Sequence, residues 1–257
     1  MTMNLKVINM YPDILNLYGD LGNLISIKQR CLWRNINIEI ENFTIDYETS
    51  IDDADIILVG GGSDNSQDIV SKHLVNHRNS LAEFIENKKV LLAICGSYQM
   101  FGNSYSDINE EKIPCLEIFD IETISQENRL IGNIIIENTQ NLNPKNIIGF
   151  ENHGGRSYHD YKPLGNVKLG YGNNGKDGYE GMIYNNFIGS YLHGPILPKN
   201  PHLADYIILK ALQNKYDIDS LNCLDDSIEK NAHNAIEKKL LKNKNHIKKQ
   251  KAIEKSK

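Results

Sequence analysis

Cys95 is the residue of this chain best placed for covalent chemistry. It follows the apolar run Val90-Leu91-Leu92-Ala93-Ile94 and precedes Gly96-Ser97-Tyr98-Gln99. A buried strand ending in one reactive side chain, then small residues, then a helix, is the layout of a nucleophile elbow. The turn lifts the thiol above the sheet edge, and the N-terminus of the following helix favours thiolate over thiol. Gly96 leaves its N–H open to a developing oxyanion. Elbows usually carry glycine two residues either side of the nucleophile, where this chain has Ala93 and Ser97. Taken alone, the segment reads equally as a small hydrophobe closing a buried strand.

Gly60-Gly61-Gly62-Ser63 ends the apolar run Ile56–Val59. In a parallel sheet both loops open on one edge, so Gly61 is expected to supply the second oxyanion N–H. A phosphate loop would need Lys-Ser/Thr after the glycines, and Ser63-Asp64-Asn65 lacks it. Eight histidines compete to be the base. His73 and His77 stand four apart on a helical stretch. No carboxylate or third histidine completes them in sequence, so they read as a solvated face and no metal site is expected. His153, His159 and His193 lie in glycine-rich surroundings after strand-like runs, where functional loops concentrate.

The elements that must hold these residues alternate. Residues 6–10, 36–43, 56–59 and 90–94 read as strands, and 21–34 and 80–87 as helices, with 36–43 patterned for a sheet edge. That alternation predicts βαβ units and a parallel sheet. From 122 to 190 the chain changes to short strands joined by Asn/Gly turns. Asn200-Pro201 opens a helix running to about residue 215, with Asn as N-cap. A solvent-exposed helix is expected over 225–257.

Composition permits a catalytic thiol and narrows the alternatives. The four cysteines are scattered with no C-x-x-C pair, which suggests neither a zinc cage nor a redox dithiol. The apolar runs are too short to span a bilayer and no secretory signal is read, so a cytoplasmic location is expected. Residues 238–257 carry +8 while residues 1–237 carry -13, so the acidic main body offers no nucleic-acid face. The expected division is a domain over 1–222 and a Lys-rich helical tail over 223–257. The tail reads as a solvated helix end, or as a segment approaching anionic lipid.

Three blocks then carry a resemblance. Ala93-Ile94-Cys95-Gly96, Gly149-Phe150-Glu151-Asn152-His153-Gly154-Gly155-Arg156 and Gly189-Ser190-Tyr191-Leu192-His193-Gly194 occur in that order. They resemble the signature blocks of cobyric-acid-synthase-type class I glutamine amidotransferases. Within that family, Asn16-Leu17-Tyr18-Gly19-Asp20-Leu21-Gly22-Asn23 and residues 191–200 are similar to members serving as glutaminase subunits in lipid II amidation. The resemblance runs from about residue 5 to residue 215.

It implies an α/β, flavodoxin-like fold: a mostly parallel sheet flanked by helices, with an added antiparallel region and a C-terminal helix. It implies Cys95 as nucleophile, His193 as base, and Arg129 as the group holding the α-carboxylate of glutamine. His153 then becomes a supporting residue. Most class I members have His-x-Glu, whereas this chain has His193-Gly194-Pro195. A Cys–His dyad is therefore expected, oriented if at all by an acid from elsewhere. No nucleotide-binding motif is visible, so ATP and Mg²⁺ are expected on a Mur-ligase-like partner that amidates the D-glutamate of lipid II. A corrinoid acceptor, a thiol peptidase on the same scaffold and a non-enzymatic binding module remain as alternatives.

Overall fold

The computed structural model describes residues 3–106 and 111–255, with side chains described as far as residue 242. The first half contains β1 (Asn4–Met10), α1 (Leu21–Leu32), β2 (Asn37–Phe43), β3 (Ile56–Val59), α2 (Asp64–Leu74), α3 (Arg78–Glu86), β4 (Val90–Ile94) and α4 (Gly96–Met100). Short strands β5 (Ser104–Ser106) and β6 (Lys112–Ile113) lead into a long hairpin of β7 (Glu122–Asn138) and β8 (Asn146–Tyr158). Then follow β9 (Gly165–Leu169), β10 (Tyr179–Glu180), β11 (Met182–Tyr184) and β12 (Phe187–Ser190). Helices α5 (Ile196–Lys199), α6 (Pro201–Tyr216) and α7 (Ser227–Lys255) end the chain.

The main sheet has the order β11-β12-β4-β3-β1-β2. All its pairings are parallel except β11 with β12. Read from β2, the parallel strands follow the doubly wound order in which ligands bind beyond the C-terminal strand ends. Burial follows from composition. Ile56–Val59 and Val90–Ile94 are apolar throughout and buried throughout, as interior parallel strands must be. The alternating β2 lies at the sheet edge, where one side stays wet.

The second sheet has the order β10-β9-β7-β5-β6, with β8 paired to β7. The β7–β8 pairing is antiparallel, and its register shifts between Ser125 and Leu130, where residues 126–129 bulge out opposite Gly154. Such a bulge re-aims side chains out of the strand pattern. The two sheets meet at an isolated antiparallel bridge between Phe150 and His193.

The helix expected after Cys95 is present, spanning Gly96–Met100, one short turn and a fraction. One expectation is corrected. Asn200 precedes α6 and Pro201 opens it, but the Asn200 side chain does not cap the helix. It bridges instead to both main-chain groups of Ile148, at 2.9 and 2.8 Å, tying α6 to β8. Helix α7 is largely solvent-exposed over its described side chains, as expected, with Ile228 78% exposed, but His233 is buried and its Nδ1 lies 3.0 Å from the Lys199 carbonyl. Nearby, Arg30 grips Asp205 and Asp226 together, fastening the segment before α7 to α1 and α6. The side chains of residues 243–257, most of the Lys-rich end, lie outside the described residues. Among the described residues, no helix is long and apolar enough to cross a membrane.

Candidate active site

Four loops converge at the C-terminal edge of the main sheet. They follow β1, β3, β4 and β12, and carry Asp20, Gly61, Cys95 and His193 respectively. Cys95 has φ +54° and ψ -109°, a conformation that L-residues with a Cβ rarely adopt. Its N–H is held by the Ser190 carbonyl at 2.7 Å, so β12 enforces the turn that β4 begins. Ser97, at one of the usual glycine places of an elbow, is accommodated because its hydroxyl donates to the Gly60 carbonyl. The turn after Cys95 and the glycine loop are thus joined through Ser97. Strained backbone held by its surroundings is a mark of functional turns.

His193 is fully buried. Its N–H donates to the Phe150 carbonyl at 2.7 Å, and its own carbonyl accepts from Phe150 N–H at 3.2 Å. The Tyr18 ring packs edge-on against the imidazole, with centroids 4.9 Å apart. Behind it, Asp20 Oδ2 lies 3.3 Å from His193 Nδ1. Burial alone would depress the His193 pKa, but the Cys95 sulfur and the Asp20 carboxylate outweigh it and push the imidazole up to about 10. Those surroundings favour the protonated imidazole.

Asp20 is the residue that sequence reasoning missed. It stands inside the quoted Asn16–Asn23 block as that block's sole acid, but nothing local links it to a histidine 173 positions further along. The same Oδ2 accepts the Gly61 N–H at 2.8 Å. That corrects the expected role of Gly61, whose N–H is already engaged and not open to a substrate oxygen. Gly61 matters instead by lacking a side chain. A Cβ there would sit 2.5 Å from His193 Cε1, 3.2 Å from Asp20 Oδ2 and 3.4 Å from Cys95 Cβ. Its neighbour Gly62 lines the cleft with Cys95. Gly96 opens α4, and its N–H is one that a helix's own ladder does not use. The buried Gln67 packs so closely on Gly96 that a Cβ would meet its amide at 2.2 Å.

The cleft beside Cys95 encloses about 280 Å³. Its walls include Tyr18, Gln99, Tyr105, Arg129 and Asn152. Arg129 reaches it from the β7 bulge. Its Nε donates to Asn152 Oδ1 at 2.8 Å and its Nη2 to the Asn152 carbonyl at 2.7 Å. One edge of the guanidinium is thereby fixed. Asn152 also contacts the Tyr18 hydroxyl, so the turn carrying Asp20 and the hairpin carrying Arg129 share one polar link.

His153 lines the same cleft but serves as a buried wall. It stacks on Tyr191 at 3.7 Å, and its Nδ1 lies 2.8 Å from the Gly155 carbonyl. Burial lowers its pKa, although Glu151 opposes the shift, in the opposite sense to His193. His159 lies 2.7 Å from the Tyr98 hydroxyl and does not line the cleft. Glu180 supports the His193 loop from inside. Its Oε1 accepts from Tyr191 N–H at 2.7 Å and from the Ser190 hydroxyl at 3.1 Å.

The family model for the CobB/CobQ-like glutamine amidotransferase domain matches residues 6–201. Two curated relatives are named lipid II isoglutaminyl synthase (glutamine-hydrolyzing) subunit GatD. The one from Staphylococcus aureus is 43% identical over 211 residues, covering 82% of this chain and 86% of the relative. The one from Streptococcus pneumoniae is 37% identical over 217 residues, covering 82% of each. Among solved structures, a glutamine amidotransferase from Thermotoga maritima aligns with TM-score 0.50 at 16% identity, over 84% of this chain and 86% of that one. That likeness concerns the fold.

Proposed function

The chain belongs to the CobB/CobQ-like glutamine amidotransferase family, and from that premise we propose that it is the glutaminase subunit of a lipid II-amidating synthetase, as its relatives' names describe them. The observation that carries the reading is the series Asp20–His193–Cys95 beside a cleft walled by Arg129. A thiol and a guanidinium in one cleft, with an imidazole and its carboxylate partner buried behind the thiol, suit the hydrolysis of an amide that bears its own carboxylate.

The steps follow from the geometry. The α-carboxylate of glutamine meets the edge of Arg129 that Asn152 leaves open. The Cys95 sulfur attacks the side-chain amide carbon, and the N–H groups of Gly96 and Gly62 take the oxyanion. Imidazolium His193 then gives its proton to the amide nitrogen, which leaves as ammonia, and a thioester remains. Water enters, His193 takes its proton, the thioester opens to glutamate, and the thiolate–imidazolium pair is restored. Asp20 is a positioning residue: it fixes the imidazole through Nδ1 and favours its charged form.

In this reading the ammonia goes to a Mur-ligase-like partner subunit that carries ATP and Mg²⁺ and converts the D-glutamate of lipid II to D-isoglutamine. We place the chain in the cytoplasm, where its four free cysteines stay reduced. The test is mass spectrometry after treatment with an electrophilic glutamine analogue, with and without the purified ligase. A single adduct on Cys95, blocked by glutamine and absent from Cys95→Ala, is expected. Absence of that adduct when the ligase is present would overturn the assignment.

A further inference from the structure

A second polar cluster stands apart from the glutamine cleft. His73, in the last turn of α2, and His77, in the turn that follows, lie four residues apart. In sequence they lack a carboxylate. The fold supplies one: Glu48, from the connection between β2 and β3, reaches across to both. Its Oε1 lies 3.1 Å from His73 Nε2 and 3.5 Å from His77 Nε2. One donor atom from each of the three residues falls within a 4.8 Å span.

Three features distinguish this from a solvated histidine face. Both imidazoles are largely buried, with side chains 16% and 18% exposed. His77 Nε2 is buried without a hydrogen-bond partner although it faces the carboxylate. His73 is also oriented from behind, with its Nδ1 2.9 Å from the Tyr11 hydroxyl. With Nδ1 protonated and donating to that oxygen, Nε2 presents its lone pair toward Glu48. A histidine fixed in this way is the common arrangement behind a metal ligand. His77 is held by Phe43, whose ring packs edge-on with centroids 4.9 Å apart.

We propose that Glu48, His73 and His77 form a binding site for a divalent transition-metal ion of the zinc class. Zinc takes imidazole nitrogens at about 2.0–2.1 Å and carboxylate oxygens at about 2.0–2.2 Å, so neighbouring donors on a tetrahedral ion stand roughly 3.3 Å apart. The observed 3.1 and 3.5 Å bracket that spacing. Two imidazoles and one carboxylate select zinc over magnesium or calcium, which prefer all-oxygen shells. Glu48 is 51% exposed, so the fourth position opens to water. The ion would join the β2–β3 connection to the far end of α2, the helix whose first turns carry Asp64 and Gln67 of the glutamine cleft.

The test uses the full-length chain in a Cys95→Ala background, because the thiol beside His193 is itself a competing zinc ligand. Metal-stripped protein is titrated with Zn²⁺ by calorimetry and with Co²⁺ by visible absorption. One ion per chain is expected, with a tetrahedral Co²⁺ spectrum free of thiolate charge-transfer bands. Adding His77→Ala should weaken Zn²⁺ binding by at least about 10-fold, as should Tyr11→Phe, which removes only the supporting hydroxyl. Glu48→Gln, at an exposed position, gives the same readout if a histidine variant does not fold. Absence of binding to the Cys95→Ala protein, affinity unchanged by Glu48→Gln, or a thiolate-type Co²⁺ spectrum would each overturn the proposal.

Discussion

Asp20 Oδ2 stands between two partners, 3.3 Å from His193 Nδ1 and 2.8 Å from the Gly61 N–H. One oxygen therefore faces the imidazole and anchors the glycine loop. Asp20→Asn keeps an acceptor for Gly61 but removes the charge that raises the His193 pKa. The expected result is a native fold with kcat lower by about 10²-fold, less than the loss seen when a serine depends on its triad acid. The alkaline limb of the pH–rate profile should move to lower pH, because an imidazolium without its carboxylate deprotonates sooner. An unmoved limb would separate Asp20 from the titration of His193.

Gly61→Ala tests the crowding at the same point. The added Cβ would fall 2.5 Å from His193 Cε1. His193 cannot retreat freely because both its main-chain groups are bonded to Phe150. Labelling of Cys95 by a glutamine analogue should slow by about 10²-fold, since displacement of roughly 1 Å at a reacting pair costs that much. Circular dichroism should remain that of the parent.

Arg129→Lys should raise KM for glutamine about 10-fold or more and leave kcat within a few-fold. A lysine cannot hold Asn152 with one edge and a carboxylate with the other. Steady-state glutaminase assays in the presence of the ligase would check this. A fall in kcat at constant KM would contradict a binding role.

Glu180 makes stability depend on pH in an unusual direction. Complete burial pushes its pKa up from 4.5 to about 8, against the hydrogen bonds from Tyr191 N–H and Ser190 that lower it. Between those values the folded chain holds a proton that the unfolded chain has released. Its contribution therefore weakens stability progressively as pH rises from about 4.5 to about 8. Glu180→Gln keeps an acceptor for Tyr191 and Ser190 and cannot ionise. Its melting temperature should exceed that of the parent at pH 8, by about 2–4 °C for each kcal/mol regained. At pH 5 the two proteins should melt together in calorimetry.

Much of the scaffold was legible because its signals are local. Ile56–Val59 and Val90–Ile94 are continuous apolar runs, and the strands occupy those same residues. The alternation in 36–43 placed an edge strand where β2 lies. Cys95 stands in an ordered motif, whereas Arg129, which lines the same cleft, was pointed to only by the family resemblance. What stayed hidden depends on side chains meeting across distant loops. Asp20 meets His193, and Glu48 meets His73, only because parallel strands bring separate connections to one place. The hydrogen bond that occupies Gly61 was invisible for the same reason. So was the anchoring of α7, which depends on His233 finding the Lys199 carbonyl.

The paired hydrogen bonds between Phe150 and His193 give this residue two owners. Its side chain works for the parallel sheet, while its backbone is stitched to the hairpin of the other sheet. The seam therefore sets the imidazole, Arg129 and Asn152 on connected backbone, since Phe150 and Asn152 share β8 and Arg129 lies in the bulge of the strand paired to it.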